Sequence, residues 1–372
     1  MRLEMKRAHI WLVLLLATAI LFANCHQASQ TETIVGPRIL LVNPGQGEIE
    51  DLIKMVKRGV VHLDHPQLIA VYGAQVERDV SRIKHRIEEQ QVPFVRFEVV
   101  AGRLEPANLF MQNPCSDDFR RLFRNSDAAL FYGGADIPPT AYGQKTDLLT
   151  VISTPHRHYF ELSFLFHLLG GRQNPDVKPL LEEKPDYVIR AFCLGMQTMN
   201  VATGGTMIQD IPSEIYHLRY VEDYLALADS LRHDNYWSKL DPHANVFWCH
   251  FQPIRFVNEG FFITQMKLTP TEKPLVCSSH HQAVKELGQS MQIAATSLDG
   301  QVVEALVHAR YRHVLGVQFH PEPFAIYQKE GSAAKLTPQD TTLLTIHEYL
   351  QQKASLEFHQ KFWLYFSSLL KN

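Results

Sequence analysis

Short apolar runs alternate with amphipathic stretches along the first half of the chain. The runs are five to seven residues long and predict buried strands at 38–42, 67–72, 94–100, 128–132 and 187–192. Apolar residues at helical spacing predict helices at 76–90, 117–123, 156–169 and 194–203. Because buried strands that alternate with helices are typical of a parallel sheet covered on both faces, we expect an α/β fold.

The second half of the chain has a different order. Apolar runs predict strands, the later ones in meander order, at 247–257, 262–268, 292–297, 302–307 and 314–319. An amphipathic stretch predicts a closing helix at 356–370. The segment 216–244 is rich in Tyr, Asp and His without a clean period, and we interpret it as a surface insertion near the strand ends.

The first residues have the pattern of an export signal. Arg2, Lys6 and Arg7 precede an apolar run at 10–23, and Cys25 follows it like the cysteine of a bacterial lipobox. Fourteen residues are fewer than the ~20 that a membrane-spanning helix needs. The pattern predicts a signal peptide at 1–24, a lipid anchor on Cys25 and a tether at 25–36, which would hold the protein at a membrane of the bacterial cell envelope. Secretion without a lipid is the alternative.

Composition and charge exclude some classes of function. The 372 residues are 45% hydrophobic and 20% charged, which is ordinary for a globular protein with a sizeable core. The net charge of −3 gives no electrostatic footprint for nucleic acid, so we expect no such partner. The five cysteines, at 25, 115, 193, 249 and 277, form no CxxC pair, so we expect neither a disulfide framework nor a zinc ribbon.

Cys193 lies where a predicted strand meets a predicted helix. A nucleophile at a sharp strand-to-helix turn is exposed above the sheet, and the helix N-terminus behind it favours the reactive thiolate. Taken alone, the position fits a buried structural cysteine better.

His320 ends the last predicted strand, and Glu322 follows two residues later. Residues i and i+2 of an extended chain lie on one face, so Glu322 can accept a hydrogen bond from the His320 ring and orient it. With Cys193, the pair has the composition of a nucleophile, a base and an orienting acid. A surface histidine beside a surface glutamate is the alternative.

Two further segments supply glycine and polar residues. Gly133 and Gly134 follow a predicted strand, where a glycine pair lets backbone N–H groups approach an oxyanion. The run VCSSHHQAVKELG at 276–288 carries two histidines and a glutamine. It either lines a pocket or begins a helix that Ser278 or Ser279 caps.

Taken in their order along the chain, these four segments resemble the class I glutamine amidotransferase-like hydrolases. The branch that they resemble is the gamma-glutamyl hydrolases, including gamma-glutamyl-gamma-aminobutyrate hydrolase. The matching motifs are GGADIPPTAYG at 133–143, AFCLGMQTMNVATGGTMIQDI at 191–211, VCSSHHQAVK at 276–285 and GVQFHPE at 316–322. Four ordered matches are far more specific than any one motif.

The resemblance implies a flavodoxin-like, mostly parallel sheet in one domain at 37–372 that cleaves gamma-glutamyl amide or peptide bonds. The implied catalytic residues are Cys193 as nucleophile, His320 as proton carrier and Glu322 as orienting acid. The implied oxyanion donors are Gly133, Gly134 and Leu194. The expected substrate contacts are Gln197, Ser278, Ser279, His280 and Gln282. The expected partner is a small gamma-glutamyl substrate, and no metal or organic cofactor is implied.

The match departs from the family pattern beside the predicted pocket. Cys277 stands where Asn is usual and Leu194 stands where Arg is frequent, which leaves the substrate open. Two other functions also stay open. One is a non-catalytic, lipid-tethered binding protein on the same scaffold. The other is a metal site formed by Cys193, His280, His281 and His320.

Overall fold

The computed structural model describes residues 36–371. The predicted signal peptide, Cys25 and all of the predicted tether except Gly36 lie outside the described residues and stay predictions. Within 36–371, no helix is both long enough and apolar enough to cross a membrane.

Strands and helices alternate through the first half of the described chain, as predicted. The strands are β1 (Arg38–Val42), β2 (Gln67–Gly73), β3 (Val95–Val100), β4 (Ala128–Phe131), β5 (Val188–Phe192), β6 (Met207–Ile208), β7 (His250–Phe256), β8 (Leu275–Ser278), β9 (Ala283–Val284), β10 (Met291–Ser297), β11 (Val303–His308) and β12 (Val314–Val317). The α-helices are α1 (Gln46–Lys57), α2 (Val80–Glu89), α3 (Ser116–Arg124), α4 (Pro155–Leu169), α5 (Leu194–Ala202), α6 (Ile211–Glu214), α7 (Val221–Leu225), α8 (Trp237–Leu240), α9 (Phe261–Thr264), α10 (Ile346–Gln352) and α11 (Leu356–Ser368).

One large sheet organises the described chain, in the order β3-β2-β1-β4-β5-β12-β11-β10-β7-β8. The strands from β3 to β12 in this order are parallel, and β11, β10, β7 and β8 extend the sheet in antiparallel fashion. The inner order β2-β1-β4-β5-β12 is that of a flavodoxin-like sheet. The predicted flavodoxin-like α/β fold is therefore confirmed. In such sheets ligands bind beyond the carboxyl ends of the strands, where the strand order reverses.

Both faces of the parallel half are buried, as its continuous apolar runs predict. Along β1, Ile39 and Leu41 enter the core on one face, and Leu40 and Val42 enter it on the other, because successive side chains of a strand point to opposite faces. Helix α11 covers the first face with Trp363, and α4 and α5 cover the second.

The prediction of a strand at 262–268 is wrong. The chain forms the short helix α9 there, and the Phe262 ring stacks on Phe256 with ring centroids 4.8 Å apart. Periodicity does not separate a short apolar run in a strand from one in a helix. Eight further strands and α-helices have no counterpart among the predicted elements: α1, α6, α7, α8, α10, β6, β8 and β9.

Cys249 and Cys277 form a disulfide with their Cα atoms 5.6 Å apart. The sequence predicts no disulfide framework, and this single disulfide is a pairing that it does not predict. The two cysteines are 28 positions apart in the sequence, but the antiparallel pairing of β7 with β8 sets Phe251 opposite Cys277 and brings Cys249 within bonding reach. Among the described residues, Cys115 and Cys193 are free and buried.

Candidate active site

Cys193 lies at a sharp turn between β5 and α5. Its φ of 49° and ψ of −109° belong to a sparsely populated backbone region that costs on the order of 1–3 kcal/mol and recurs at functional sites. Gly195 permits the turn, because a Cβ at this position would lie 2.5 Å from the carbonyl oxygen of Phe131. The position predicted for a nucleophile is therefore a strained strand-to-helix turn.

The Cys193 sulfur has polar neighbours on its buried side. Gln318 Nε2 donates to Sγ at 3.7 Å, and the carbonyl oxygen of Ser279 lies 3.9 Å from Sγ. Gln197 Nε2 donates in turn to Gln318 Oε1 and to the carbonyl oxygen of Gln282, both at 3.3 Å. Gln197, which was expected to contact substrate, is thus a buried residue that supports the sulfur from behind.

His320 follows β12 and reaches the same corner of the sheet. Glu322 Oε1 lies 2.7 Å from His320 Nδ1, the contact that their spacing predicts. The backbone N–H of His320 donates to the carbonyl oxygen of Cys277 at 2.8 Å. Burial alone would lower the pKa of His320, but Glu322 and Cys193 outweigh it and hold the pKa well above its ordinary value. These two neighbours therefore favour the protonated form of the His320 ring.

The glycine loop after β4 lies against both of these groups. A Cβ on Gly133 would lie 2.8 Å from His320 Cε1, and a Cβ on Gly134 would lie 2.9 Å from Leu194 Cδ2. Arg157 Nη2 donates to the carbonyl oxygen of Gly133 at 2.8 Å and fixes the loop. Within residues 36–371, the backbone N–H groups of Gly133, Gly134 and Leu194 donate to no other group. Gly133 and Gly134 also line the open cleft, whereas Leu194 does not.

The polar run at the end of β8 is mostly buried and is not part of the lining of the open cleft, so its contact with substrate stays a prediction. Ser278, His280 and Gln282 are buried, and only Ser279 of the predicted contacts is partly exposed. Ser278 Oγ accepts a hydrogen bond from Gln252 Nε2 at 3.0 Å inside the core. The alternative of a helix cap is wrong, because Ser278 ends β8 and β9 follows.

His281, in the same run, joins separate parts of the site. Its Nε2 lies 3.1 Å from Asp136 Oδ2, and its Nδ1 lies 3.1 Å from Asp210 Oδ1. Burial would lower the pKa of His281, but the two carboxylates raise it to about 9. The charged ring ties the loop that continues from Gly134 to the turn before α6. The sequence interpretation gave neither aspartate a role, although both lie in the matched motifs, and it considered His281 only as a ligand of the alternative metal site.

A cleft of about 470 Å³ opens beside the glycine loop and the His320–Glu322 pair, and the buried Cys193 is not part of its lining. Its wall includes Glu48 and Asp51 of α1 and Trp248, which precedes β7. The Trp248 ring stands edge-on to the His320 ring with centroids 5.5 Å apart, and Trp248 is 49% exposed. The sequence interpretation missed Trp248, because nothing in the run at 247–257 distinguishes it from the core aromatics beside it.

The alternative metal site has no counterpart within residues 36–371. It would need ligand atoms from at least three of Cys193, His280, His281 and His320 around one ion, and the structure brings no three of them together.

Residues 67–322 match the sequence profile of the family described as peptidase C26. This chain belongs to the peptidase C26 family. The matched range contains the Cys193 turn, the glycine loop and the His320–Glu322 pair. Membership confirms the predicted relationship to class I glutamine amidotransferase-like proteins and supports a cysteine hydrolase in general terms.

Relatives of this peptidase C26 chain carry glutamine amidotransferase-like names. A protein so named from Rickettsia prowazekii (strain Madrid E) is 31% identical over 223 residues, which are 56% of this chain and 74% of that protein. The YvdE protein of Lactococcus lactis is 27% identical over 53% of this chain, and the chain spans 66% of its length. A Thermoplasma acidophilum protein described as part of a GMP synthase has 11% identity and a TM-score of 0.36, over 82% of this chain and 96% of that chain.

Proposed function

We propose that the chain hydrolyses gamma-glutamyl amide or peptide bonds through a thioester on Cys193. The observation that carries the proposal is the meeting of Cys193, the His320–Glu322 pair and Gly133 beyond the carboxyl ends of the adjacent strands β4, β5 and β12. Membership in peptidase C26 supports a cysteine hydrolase. The gamma-glutamyl specificity rests on the four sequence motifs.

In the first step, the Cys193 sulfur attacks the side-chain carbonyl carbon of the gamma-glutamyl group. The free N–H groups of Leu194 and of the glycine loop bind the carbonyl oxygen as negative charge develops on it. The protonated His320 ring gives its proton to the leaving amine, and Glu322 holds the ring in place. The C–N bond breaks, and a free amine and a gamma-glutamyl thioester result.

Water resolves the thioester in the second step. His320, now neutral, accepts a proton from the water as its oxygen attacks the thioester carbonyl. The C–S bond breaks, free glutamate leaves, and the Cys193 sulfur and the protonated His320 ring are restored. The chain itself supplies the nucleophile, the proton carrier and the oxyanion donors for both steps.

A panel of gamma-glutamyl amides and peptides tests this activity, with products identified by mass spectrometry and Cys193→Ala as the control. We expect release of free glutamate by the wild type and none by the variant. Cleavage by Cys193→Ala at the wild-type rate would reject the mechanism. Cleavage by neither protein, with both folded, would favour the tethered binding protein instead.

The proposed location is the bacterial cell envelope, with the mature chain beginning at a lipid-modified Cys25. The Cys249–Cys277 disulfide supports export, because structural disulfides persist mainly in oxidising compartments. Intact-mass analysis of membrane-extracted protein should show a diacylglyceryl group on Cys25. A soluble product that begins at another residue would overturn the anchor.

A further inference from the structure

Three ionisable side chains meet in the protein interior, outside the cleft. His233 lies between α7 and α8, His280 follows β8, and Glu304 lies on β11. All three are buried, and one possible ligand atom from each lies within 4.8 Å of the other two. The proposed cysteine chemistry does not use this cluster, and the sequence interpretation singled out only His280 of the three residues.

The hydrogen bonds of His280 determine which of its ring nitrogens is free. Nδ1 lies 2.9 Å from the carbonyl oxygen of Gln282, and a carbonyl only accepts, so Nδ1 carries the proton. The lone pair is then on Nε2, which is buried and has no partner within the described residues. A carbonyl that fixes the tautomer in this way is the usual support for a metal-binding histidine.

Glu304 and His233 complete the set. Glu304 Oε1 accepts a hydrogen bond from Gln252 Nε2 at 2.8 Å, while its Oε2 is buried without a partner in the described part of the chain. His233 Nδ1 lies 3.1 Å from Glu304 Oε1, but neither His233 ring nitrogen makes a hydrogen bond of normal geometry to residues 36–371. A carboxylate and two imidazoles therefore converge with lone pairs that the surrounding protein leaves unused.

The protonation states suit a cation. Burial lowers the pKa of His233 to about 4 and the pKa of His280 to about 3. Both rings are therefore neutral at neutral pH, the form in which histidine binds metals. Burial raises the pKa of Glu304 to about 7, and a bound cation would offset the cost of its buried negative charge.

We propose that His233, His280 and Glu304 bind one zinc ion in a closed site behind Cys193. Two histidines and one glutamate are a donor set that zinc uses, with a fourth position left for water. Tetrahedral zinc with bonds near 2.0–2.2 Å sets its ligand atoms roughly 3.3–3.5 Å apart. The contact between His233 and Glu304 already has this size, and the remaining ligand atoms would close in by about 1.5 Å or less from their 4.8 Å limit.

The zinc site would affect Cys193 only by fixing the position of the segment behind its sulfur. The carbonyl oxygen of Ser279, next to His280, lies 3.9 Å from Cys193 Sγ. The backbone N–H of His280 also donates to the carbonyl oxygen of His233 at 3.1 Å. Zinc would therefore hold the segment behind the sulfur, without contact to the substrate.

Zinc binding by the full chain in a Cys193→Ala background tests the proposal, because a cysteine–histidine active site can itself take up zinc. Protein treated with a chelator is titrated with zinc chloride against a chromophoric zinc indicator, and the bound metal is counted by elemental analysis after gel filtration. We expect one zinc per chain. In His280→Asn, the amide N–H can still donate to the carbonyl oxygen of Gln282, but the free ring nitrogen that would bind zinc is lost. This variant should weaken zinc binding at least about tenfold.

Glu304→Gln, which keeps the size of the side chain and removes its charge, is the second variant and should give the same loss. His308→Asn is the matched control, because His308 is a buried histidine outside the cluster and Asn can still accept from the backbone N–H of Arg310. Absence of zinc in the Cys193→Ala protein, or binding that neither His280→Asn nor Glu304→Gln weakens, would overturn the proposal. Sulfur scattering next to the zinc in X-ray absorption would overturn it even if a variant fails to fold.

Discussion

Reduction of the Cys249–Cys277 disulfide should lower the free energy of unfolding by about 3.6 kcal/mol at 25 °C. The cross-link spans 28 residues. In the chain-entropy relation it removes 2.1 + 1.5R ln n from the entropy of the unfolded chain, roughly 12 cal/mol/K for this span. The folded protein already holds the two residues together through the pairing of β7 with β8, so most of the effect should lie in the unfolded state.

Chemical denaturation with and without a thiol reductant measures this change. The matched control is the double variant Cys249→Ala/Cys277→Ala, whose stability should not respond to the reductant. Stability is the readout rather than activity, because the loop-closure argument concerns the free energy of unfolding. Alkylation of the unfolded but unreduced chain should spare Cys249 and Cys277.

Two results would refute the reasoning. If alkylation modifies Cys249 and Cys277 without reduction, the disulfide is absent. If the disulfide is reduced completely and the free energy of unfolding changes by less than about 1 kcal/mol, the loop-closure argument fails for this protein.

Three further predictions concern the cleft. Iodoacetamide should modify Cys193 ahead of Cys115, because burial raises the pKa of the Cys115 thiol to about 11; peptide mapping after partial alkylation checks this, and equal labelling would contradict it. Glu322→Gln should lower kcat/KM on gamma-glutamyl substrates by roughly 10- to 1,000-fold. It should also move the alkaline limb of the pH profile to lower pH, since the lost carboxylate lets the pKa of His320 fall; an unmoved limb would argue against the pairing. Trp248→Ala should raise KM more than it lowers kcat, because the half-exposed ring borders the cleft. Steady-state kinetics with Trp248→Phe as the conservative control tests this, and an unchanged KM for Trp248→Ala would remove the ring from substrate binding.

The parallel half of the fold was predictable because its strands are buried on both faces. The run at 38–42 matches β1 residue for residue, since every position from Ile39 to Val42 is fully buried. The antiparallel half was harder to predict. Phe261 and Phe262 suggest a strand by composition, but their packing in an aromatic cluster with Phe256 and Phe358 fixes a helical turn.

The candidate site also has residues that were predictable from the sequence and residues that were not. The position of Cys193 between a strand and a helix, and the spacing of His320 and Glu322, are local signals that sequence can carry. The burial of Ser278 is not local, because its partner Gln252 lies 26 residues away on β7. The polar residues of the run at 276–288 suggested contact with solvent or a ligand. The fold instead supplies Ser278 with a polar partner inside the core.

The antiparallel extension, formed by β11, β10, β7 and β8, contacts the cleft at the edge of the parallel half where β12 ends. Trp248 and Cys249 precede β7, Cys277 lies on β8, and the backbone N–H of His320 donates to the carbonyl oxygen of Cys277 at 2.8 Å. This hydrogen bond joins the extension to the end of β12, where His320 follows the strand. Cys193 itself follows β5, whose neighbours are parallel and packed on both faces. Changes in β7 and β8 can therefore reshape the wall of the cleft and shift His320, while Cys193 keeps its register in the parallel half, so we expect substrate choice to depend on the antiparallel extension.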